Sequence, residues 1–312
     1  MGVLYFLESI RVPGLNEFML LITRLGEETA FLVAALIVFW CVDKHKGYYL
    51  MTVGFIGTMA NHFLKLLFRV PRPWVLDPDF TILEQAREAA TGYSFPSGHS
   101  QSSVGTFGAI AYTARNKWVK IISVAICVLV PLSRMYIGVH TPSDVLVGAG
   151  MALFMVGLLK KPVVDHTDRA MKVLIPVMLV MAVGLLLFVQ KYPFPADVDA
   201  HNLESGIKKA YTMLGAISGT ALVYVLEKKY VNFETSGVWW VQLLKVILGL
   251  ALVLAVKEGL RAPLDAVFAG HMAARAIRYF LIVVVSGFLW PMTFRWFGKL
   301  GVKNELRNHK KL

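Results

Sequence analysis

The sequence predicts an all-α fold, a polytopic transmembrane bundle of about nine helical spans preceded by an N-terminal interfacial helix. Of the 312 residues, 56% are hydrophobic and only 17% are charged, whereas a soluble domain of this length keeps more charge on its surface. Several apolar runs approach the ~20 residues that are needed to cross a bilayer. These runs are continuous rather than alternating, which favours helices over strands.

The first 25 residues are amphipathic, because apolar side chains such as Phe6 and Leu7 alternate with charged ones such as Glu8 and Arg11. We expect one or two interfacial helices here, with a break near Pro13. Nine apolar runs follow. Hydropathy places the spans at about 27–43, 50–68, 97–114, 118–138, 141–160, 171–190, 208–226, 240–257 and 276–297.

The charged residues divide unequally between the two sides of this bundle. Face A, the side reached at the end of the first span, holds seventeen basic and six acidic residues, whereas the opposite side, face B, holds fourteen of each. Basic loops mark the cytoplasmic side of a membrane. We therefore expect an integral, multi-pass protein with face A in the cytoplasm, the amino terminus outside and the carboxyl terminus inside. Basic residues spread over alternate loops do not form the groove of a nucleic-acid binder, so we expect no nucleic-acid partner.

Three segments carry residues with chemical potential, and all three fall on face B. The order of the spans alone requires this, because the ends of spans two and four and the starts of spans three and five share one side. The segments are Lys65 to Pro73, Phe95 to Ser100 and Ser133 to Asp144. We expect them to converge on one pocket.

The cations of these segments suit a phosphate group. Lys65, Arg72 and Arg134 place three positive charges at one membrane surface, and the arginines can bind a phosphate dianion through two donors each. Ser97 and Gly98 stand where a helix begins. A serine can cap that helix, and a glycine lets an anion approach the free N–H groups.

The two histidines of the segments suit phosphoryl transfer. His140 and Asp144 are four residues apart, a spacing that puts both side chains on one face of a helix. Asp144 can then accept a hydrogen bond from one ring nitrogen and leave the other free to attack phosphorus. His99 remains as the general acid for the departing alkoxide. Each residue alone has an ordinary structural explanation, but charged groups at a membrane surface are costly to combine without a function.

These residues resemble the three-part signature of the type 2 phosphatidic acid phosphatase superfamily. The matching parts are Lys65-x6-Arg72-Pro73, Pro96-Ser97-Gly98-His99 and Ser133-Arg134-x5-His140-x3-Asp144. They occur in order and without a gap, and the resemblance covers roughly residues 20–160. The nine-span layout and the segment Leu25 to Glu28 further resemble sphingosine-phosphate phosphatases, and the layout also resembles glucose-6-phosphatase.

The resemblance implies a phosphohistidine on His140, with Asp144 orienting His140 and His99 protonating the leaving group. It implies that phosphate is bound by Lys65, Arg72, Ser97, Gly98 and Arg134. It also implies that neither a metal nor a cofactor is needed, and face B carries no cluster of carboxylates and histidines with ligand spacing. On this basis we divide the chain into an interfacial segment (1–25), a catalytic core of about five spans (26–162) and a membrane extension of about four spans (163–312).

The expected function is hydrolysis of a lipid phosphate or pyrophosphate on the extracytoplasmic side. The candidate substrates are a polyprenyl pyrophosphate, phosphatidate, phosphatidylglycerophosphate and a sphingoid phosphate. We also expect the protein to contact membrane lipids. Two alternatives stay open: phosphotransfer between lipids, and transport or flipping of a phosphate headgroup. A carrier needs the cations but not a nucleophile, so the His140–Asp144 pair favours an enzyme. The extension is compatible with an acyl groove, an oligomer interface or a supporting role.

Overall fold

The computed structural model describes residues 1–300, which are helical and contain no strand. The all-α prediction is therefore confirmed. Short 3-10 and π-helical turns connect or extend several of the helices. The α-helices of the described residues are α1 (Gly2–Ser9), α2 (Pro13–Thr23), α3 (Glu28–Cys41), α4 (Lys44–Phe68), α5 (Pro73–Leu76), α6 (Gly98–Thr113), α7 (Lys117–Tyr136), α8 (Pro142–Lys160), α9 (Thr167–Lys191), α10 (Ala200–Leu226), α11 (Trp239–Gly259), α12 (Arg261–Val267), α13 (Ala273–Val284) and α14 (Trp290–Met292).

Within residues 1–300, seven helical segments are long and apolar enough to cross a membrane. They are Lys44–Leu76, Lys117–Tyr136, Pro142–Asp165, Thr167–Lys191, Ala200–Val231, Trp239–Val267 and Ala273–Met292. Each contains or overlaps one of the predicted spans. The chain is therefore a multi-pass membrane protein.

The first and third predicted spans correspond to shorter helices. α3 has 14 residues and α6 has 16. At 1.5 Å per residue these lengths are about 21 Å and 24 Å, against a hydrocarbon core of about 30 Å. α6 is also polar at its start, where the sequence reads Gly-His-Ser-Gln-Ser-Ser. The predicted number of nine spans is therefore not confirmed.

The outward faces of the long helices are apolar. Ile122 on α7, Leu146 on α8, Val180 on α9 and Ile247 on α11 are each more than half exposed. Soluble proteins rarely present apolar side chains so widely on their surface. These faces suit contact with lipid chains.

Helix α4 lies at the centre of the bundle, where it contacts α3, α6, α8, α9 and α10. It begins at Lys44 rather than near residue 50, because the Asp43 carboxylate accepts hydrogen bonds from the N–H groups of His45 and Lys46. It ends before Arg69, which adopts a left-handed conformation with φ of 50°. Lys44 and Lys65 are about 31 Å apart at 1.5 Å per residue. The two ends of α4 thus mark the two opposite faces of the bundle.

The C-terminal helices pack on the same hydrophobic core as the earlier ones. That core contains Leu50 of α4, Met178 of α9 and Ile217 of α10. α10 also approaches α13 closely, because a Cβ atom at Gly215 would overlap the carbonyl oxygen of Ala276. The apolar core is therefore continuous across residue 162, and the division into core and extension stays a prediction.

The N-terminal segment forms two helices, α1 and α2, with the break immediately before Pro13. Both contact α7. Arg11, between them, donates to the carbonyl oxygens of Tyr136 (3.0 Å) and Thr81 (2.9 Å). The segment is thereby attached to the face B loops that surround the candidate site.

Candidate active site

The structure brings the three predicted segments together on face B. Lys65 lies in the last turn of α4, Arg72 stands immediately before α5, and His99 lies in the first turn of α6. Arg134 is in the last turn of α7, and His140 stands just before α8. Five elements that are distant along the chain thus contribute to one site.

A cavity of about 310 Å³ lies between these elements. Six of the eight predicted site residues line it: Lys65, Arg72, Gly98, His99, Arg134 and His140. The other two, Ser97 and Asp144, lie behind this lining, and both are almost completely buried. The cavity is therefore bordered by both histidines and all three cations.

The imidazole of His140 has a defined orientation and protonation. Its Nδ1 is 3.3 Å from Oδ2 of Asp144, and its Nε2 is 3.0 Å from Nη1 of Arg72. Arginine can only donate, so Nε2 carries the lone pair and Nδ1 carries the hydrogen. Burial, reinforced by the charge of Arg72, lowers the pKa of His140 well below its ordinary value. The ring is thus neutral at neutral pH, which is the form of histidine that can act as a nucleophile.

The carboxylate of Asp144 accepts more than one hydrogen bond. Its Oδ2 accepts from the hydroxyl of Ser94 at 2.5 Å and from the N–H of Thr141 at 2.8 Å. The threonine hydroxyl accepts in return from the N–H of Asp144, which completes a capping box at the start of α8. These bonds hold the carboxylate against His140. Ser94 lies outside the three predicted segments, because only the folding of the 73–97 loop brings it to Asp144.

The guanidinium of Arg72 is fixed by main-chain carbonyls. Nη1 donates to Val139 at 2.9 Å, Nη2 donates to Thr91 at 2.8 Å, and Nε donates to Gly92 at 3.1 Å. Because both the loop before α6 and the segment before His140 hold it, the charge stays beside the imidazole.

Lys65 and Arg134 differ in how many of their donors are already used. The ammonium of Lys65 donates to the carbonyl oxygens of Tyr93 and Ser94. Arg134 is 2% exposed and donates from Nη1 to the hydroxyl of Thr23 at 2.8 Å, but its Nε has no partner among residues 1–300. A buried donor without an acceptor is unfavourable. Arg134 therefore keeps a buried N–H donor that could bind an anion.

The start of α6 lines the cavity through Gly98 and His99. Ser97 caps this helix, and its hydroxyl accepts hydrogen bonds from the N–H and the hydroxyl of Ser100. The N–H of Ser97 donates to the carbonyl oxygen of Asp144 at 2.9 Å. This contact requires Gly148, where a Cβ atom would stand 2.5 Å from the carbonyl oxygen of Ser97. The helix start is thereby locked to α8, and free amides at such a start favour anions.

The cavity is also lined by residues other than the eight predicted ones. Asn61 donates to the carbonyl oxygen of Pro96 at 3.2 Å. Lys209, on α10, forms an ion pair with Glu28 at the start of α3, and both line the cavity. No local pattern marks Lys209, since it lies far along the chain in an ordinary helix. The cavity is thus bordered by α10 as well as by the signature segments.

In the part of the chain that the structure describes, no group of three or more His, Cys, Asp or Glu side chains is arranged to hold a metal ion.

Two family models match the chain. The one described as "PAP2 superfamily" matches residues 45–168, and the one described as "PAP2 superfamily phosphatase, transmembrane extension" matches residues 211–303. The first match contains all eight predicted site residues.

The chain is also similar to named phosphatases. It is 34% identical to phosphatidylglycerophosphatase B of Bacillus subtilis, over 48% of this chain and 76% of that protein. It is 30% identical to an undecaprenyl-diphosphatase of Sulfolobus acidocaldarius, over 44% and 66% respectively. It is 31% identical to a probable sphingosine-1-phosphate phosphatase of Dictyostelium discoideum, over 47% and 38% respectively. No solved structure matches the chain.

Proposed function

Because the chain belongs to the PAP2 superfamily, we propose that it removes phosphate from a lipid phosphate or diphosphate through a covalent intermediate on His140. The observation that carries this proposal is the arrangement of one imidazole between a donor and an acceptor. Arg72 leaves Nε2 of His140 unprotonated beside the cavity, and Asp144 accepts from Nδ1.

In the first step, Nε2 of His140 attacks phosphorus and the bond to the lipid oxygen breaks. The bound phosphate takes over the donor that Arg72 directs at Nε2. His99, across the same cavity, acts in its protonated form, which the negative charge of the bound phosphate favours, and gives that proton to the departing alkoxide or phosphate oxygen. Asp144 stabilises the positive charge that develops on the ring of His140.

In the second step, water attacks phosphorus and the bond to His140 breaks. His99, now unprotonated, takes the proton of the attacking water and returns to its starting form. Inorganic phosphate leaves, so the sum of both steps is hydrolysis of one phosphate bond. The proposed reaction uses no group outside this chain other than the lipid and water.

The phosphoryl oxygens have four sources of stabilisation in this proposal. Arg134 offers its unpaired Nε, Arg72 offers the donor that it now directs at His140, and Lys65 offers the remaining N–H of its ammonium. The amides of Gly98 and His99 supply the fourth. Ser97 contributes by capping α6, since its hydroxyl is used within the helix start. Such fixed donors stabilise the charge of the transferring group.

The proposed substrate is a lipid, because the site stands among helices that cross the membrane. The names of the relatives specify phosphatidylglycerophosphate, undecaprenyl diphosphate and sphingosine 1-phosphate as substrates of those proteins. A phosphatidylglycerophosphate, a polyprenyl diphosphate, a phosphatidate and a sphingoid phosphate are thus the candidates for this chain.

We place the site on the extracytoplasmic side. Lys65 stands at the face B end of α4, and the excess of basic residues belongs to face A. The positive-inside rule then puts face A in the cytoplasm.

The experiment is release of phosphate in detergent, with a chelator present, from the four candidate lipids. We compare wild type with His140→Ala and with His201→Ala, which changes an exposed histidine outside the cavity. We expect release by wild type and His201→Ala, and a loss of at least about a thousandfold in His140→Ala. Equal release by His140→Ala would exclude the histidine intermediate, and dependence on a removable metal would exclude the metal-free reaction.

The same assay tests the transferase alternative. Labelled lipid phosphate is incubated with the enzyme in the presence of a second lipid alcohol. Hydrolysis predicts that the label appears as inorganic phosphate. Its appearance in the second lipid would instead assign transfer to the chain.

A further inference from the structure

A second cavity, of about 930 Å³, lies at the other end of the bundle. Its walls are the loop 231–238, one residue of α11 and the segment 294–299. This loop lies beside the start of α4, because Lys44 donates to Glu227 and to Asn232, each at 3.0 Å. The cavity is therefore on face A, opposite the candidate active site.

Lys245 of α11 reaches this cavity from the interior. The residue is 1% exposed, and its ammonium lies 4.7 Å from the centre of the Phe294 ring. The same ammonium would be 3.8 Å from a Cβ atom at Gly237, on the cavity wall. Within residues 1–300 no carboxylate forms an ion pair with it. A buried ammonium supported only by an aromatic ring is unfavourable, and an anion in the cavity would offset that cost.

The charge around the cavity also favours an anion. Arg295 and Lys299 stand on the wall together with Lys245, whereas Glu234 is the one acidic residue among the lining residues of the described chain. The charge of Lys44, which stands nearby, is instead neutralised by its ion pair with Glu227. Three positive groups against one negative group make this an electropositive concavity, which suits a phosphate.

The cavity opens at the level of lipid headgroups. Trp239, at the first turn of α11, and Trp296, beside Arg295, are 78% and 72% exposed. Exposed tryptophans at the ends of spanning helices mark the boundary between hydrocarbon and water. If a lipid places its anionic headgroup in this cavity, its acyl chains would lie against the apolar outer face of α11.

We propose that this face A cavity binds the phosphate-bearing headgroup of an anionic phospholipid, with Lys245 as its central cation. The lipid belongs to the leaflet opposite the active site. The site is separate from the one that carries the proposed hydrolysis, and neither proposal requires the other.

The test is lipid-dependent thermal stabilisation of the full chain in detergent. The probes are dioctanoyl phosphatidylglycerol, dioctanoyl phosphatidylcholine and inorganic phosphate. Phosphatidylglycerol is a phosphodiester, so a phosphatase that removes a terminal phosphate does not consume it. We compare wild type with Lys245→Met, which keeps the aliphatic stem, and with Lys257→Met, which removes an exposed lysine from the other end of the same helix. Binding at the active site is common to all three proteins.

We expect phosphatidylglycerol to stabilise wild type and Lys257→Met, with an apparent Kd that is about tenfold weaker or more in Lys245→Met. Phosphatidylcholine should give no shift that depends on Lys245. Arg295→Gln, at the cavity wall, should also weaken the binding and provides a second readout if Lys245→Met does not fold. Equal Kd values in wild type, Lys245→Met and Arg295→Gln would overturn the site. A Lys245-dependent shift given fully by inorganic phosphate would overturn the assignment to a lipid headgroup.

Discussion

At the scale of single residues, the candidate site depends on which groups can only donate and which can only accept. Arg72 offers no acceptor and Asp144 offers no donor, so the ring of His140 between them has one stable tautomer. That tautomer leaves the lone pair of the ring on Nε2, which accepts from Arg72. The chemistry proposed for the site follows from this order of donors and acceptors.

The first prediction concerns Asp144→Asn. The amide can present an N–H to Nδ1 of His140, which favours the other tautomer and removes the negative charge that stabilises the phosphorylated ring. We expect kcat to fall by about a thousandfold, within the range for positioned acid–base groups, with an unchanged far-UV circular dichroism spectrum. Asp79→Asn, in the exposed loop of the same face, is the control and should keep wild-type activity. If Asp144→Asn retains a tenth of the activity or more, Asp144 does not orient the nucleophile.

At the scale of helices, the site depends on how closely α8 approaches the start of α6 and on where α10 is held. Gly148 allows the carbonyl of Ser97 to contact the backbone of α8. On the other side of the cavity, α10 carries Lys209 to the ion pair with Glu28. Both contacts join segments that are not neighbours in the sequence.

The second prediction compares Gly148→Ala with Gly150→Ala on α8. Alanine usually stabilises a helix by about 0.5–1 kcal/mol relative to glycine, and a Cβ atom at Gly150 meets nothing within 4 Å. A Cβ atom at Gly148 meets a main-chain oxygen at 2.5 Å, so α8 must move away from α6. We expect Gly148→Ala to lower the free energy of unfolding by about 1–3 kcal/mol and to lower kcat, whereas Gly150→Ala is neutral or stabilising. Thermal denaturation in detergent and the phosphate assay measure both effects, and equal behaviour of the two variants would contradict the proposed contact.

The third prediction compares Lys209→Gln with Lys208→Gln on α10. Lys209 lines the cavity of the candidate active site, whereas Lys208 pairs with Glu204 outside it. We expect Lys209→Gln to raise KM by about tenfold with little change in kcat, because one positive charge is removed from the path of the phosphate group. Stability should hardly change, since exposed ion pairs contribute only about 0–1 kcal/mol. A KM for Lys209→Gln that equals that of Lys208→Gln would show that α10 does not act on the substrate.

At the scale of the whole molecule, the two faces of the bundle differ in their charge and in the cavity that each one carries. Face B carries the cavity of the candidate active site at one end of α4, and face A carries the basic loops and the cavity of Lys245 at the other. A continuous apolar core connects the two ends. The bundle therefore carries the candidate active site at one end and an electropositive cavity at the other.

The fourth prediction tests the orientation. Cys41 and Cys127 are first replaced by alanine, and single cysteines are then introduced as Glu88→Cys on face B and Lys229→Cys on face A. Both positions are exposed. A membrane-impermeant maleimide should label Glu88→Cys on intact cells, and Lys229→Cys only after the membrane is opened. The reverse pattern would place the catalytic cavity in the cytoplasm.

The sequence by itself determined the fold class, the family and the face on which the eight candidate residues lie. Fold class follows from long continuous apolar runs, because a chain in lipid must satisfy its backbone hydrogen bonds within helices. The shared face follows from the order of the spans, and the family follows from residues such as Arg72, His99 and His140 at fixed spacings. These properties are readable because each depends on local composition or on short distances along the chain.

Only the tertiary structure decided which groups meet. Ser94 reaches Asp144, and Lys209 reaches the cavity, through the folding of a loop and the packing of a distant helix that no short pattern records. Within residues 1–300 the structure also does not confirm the nine spans that hydropathy suggested, since α3 and α6 are short and α6 begins with polar residues. Hydropathy reports which residues avoid water, but helix length and side-chain contacts depend on caps and close approaches between elements far apart in the sequence.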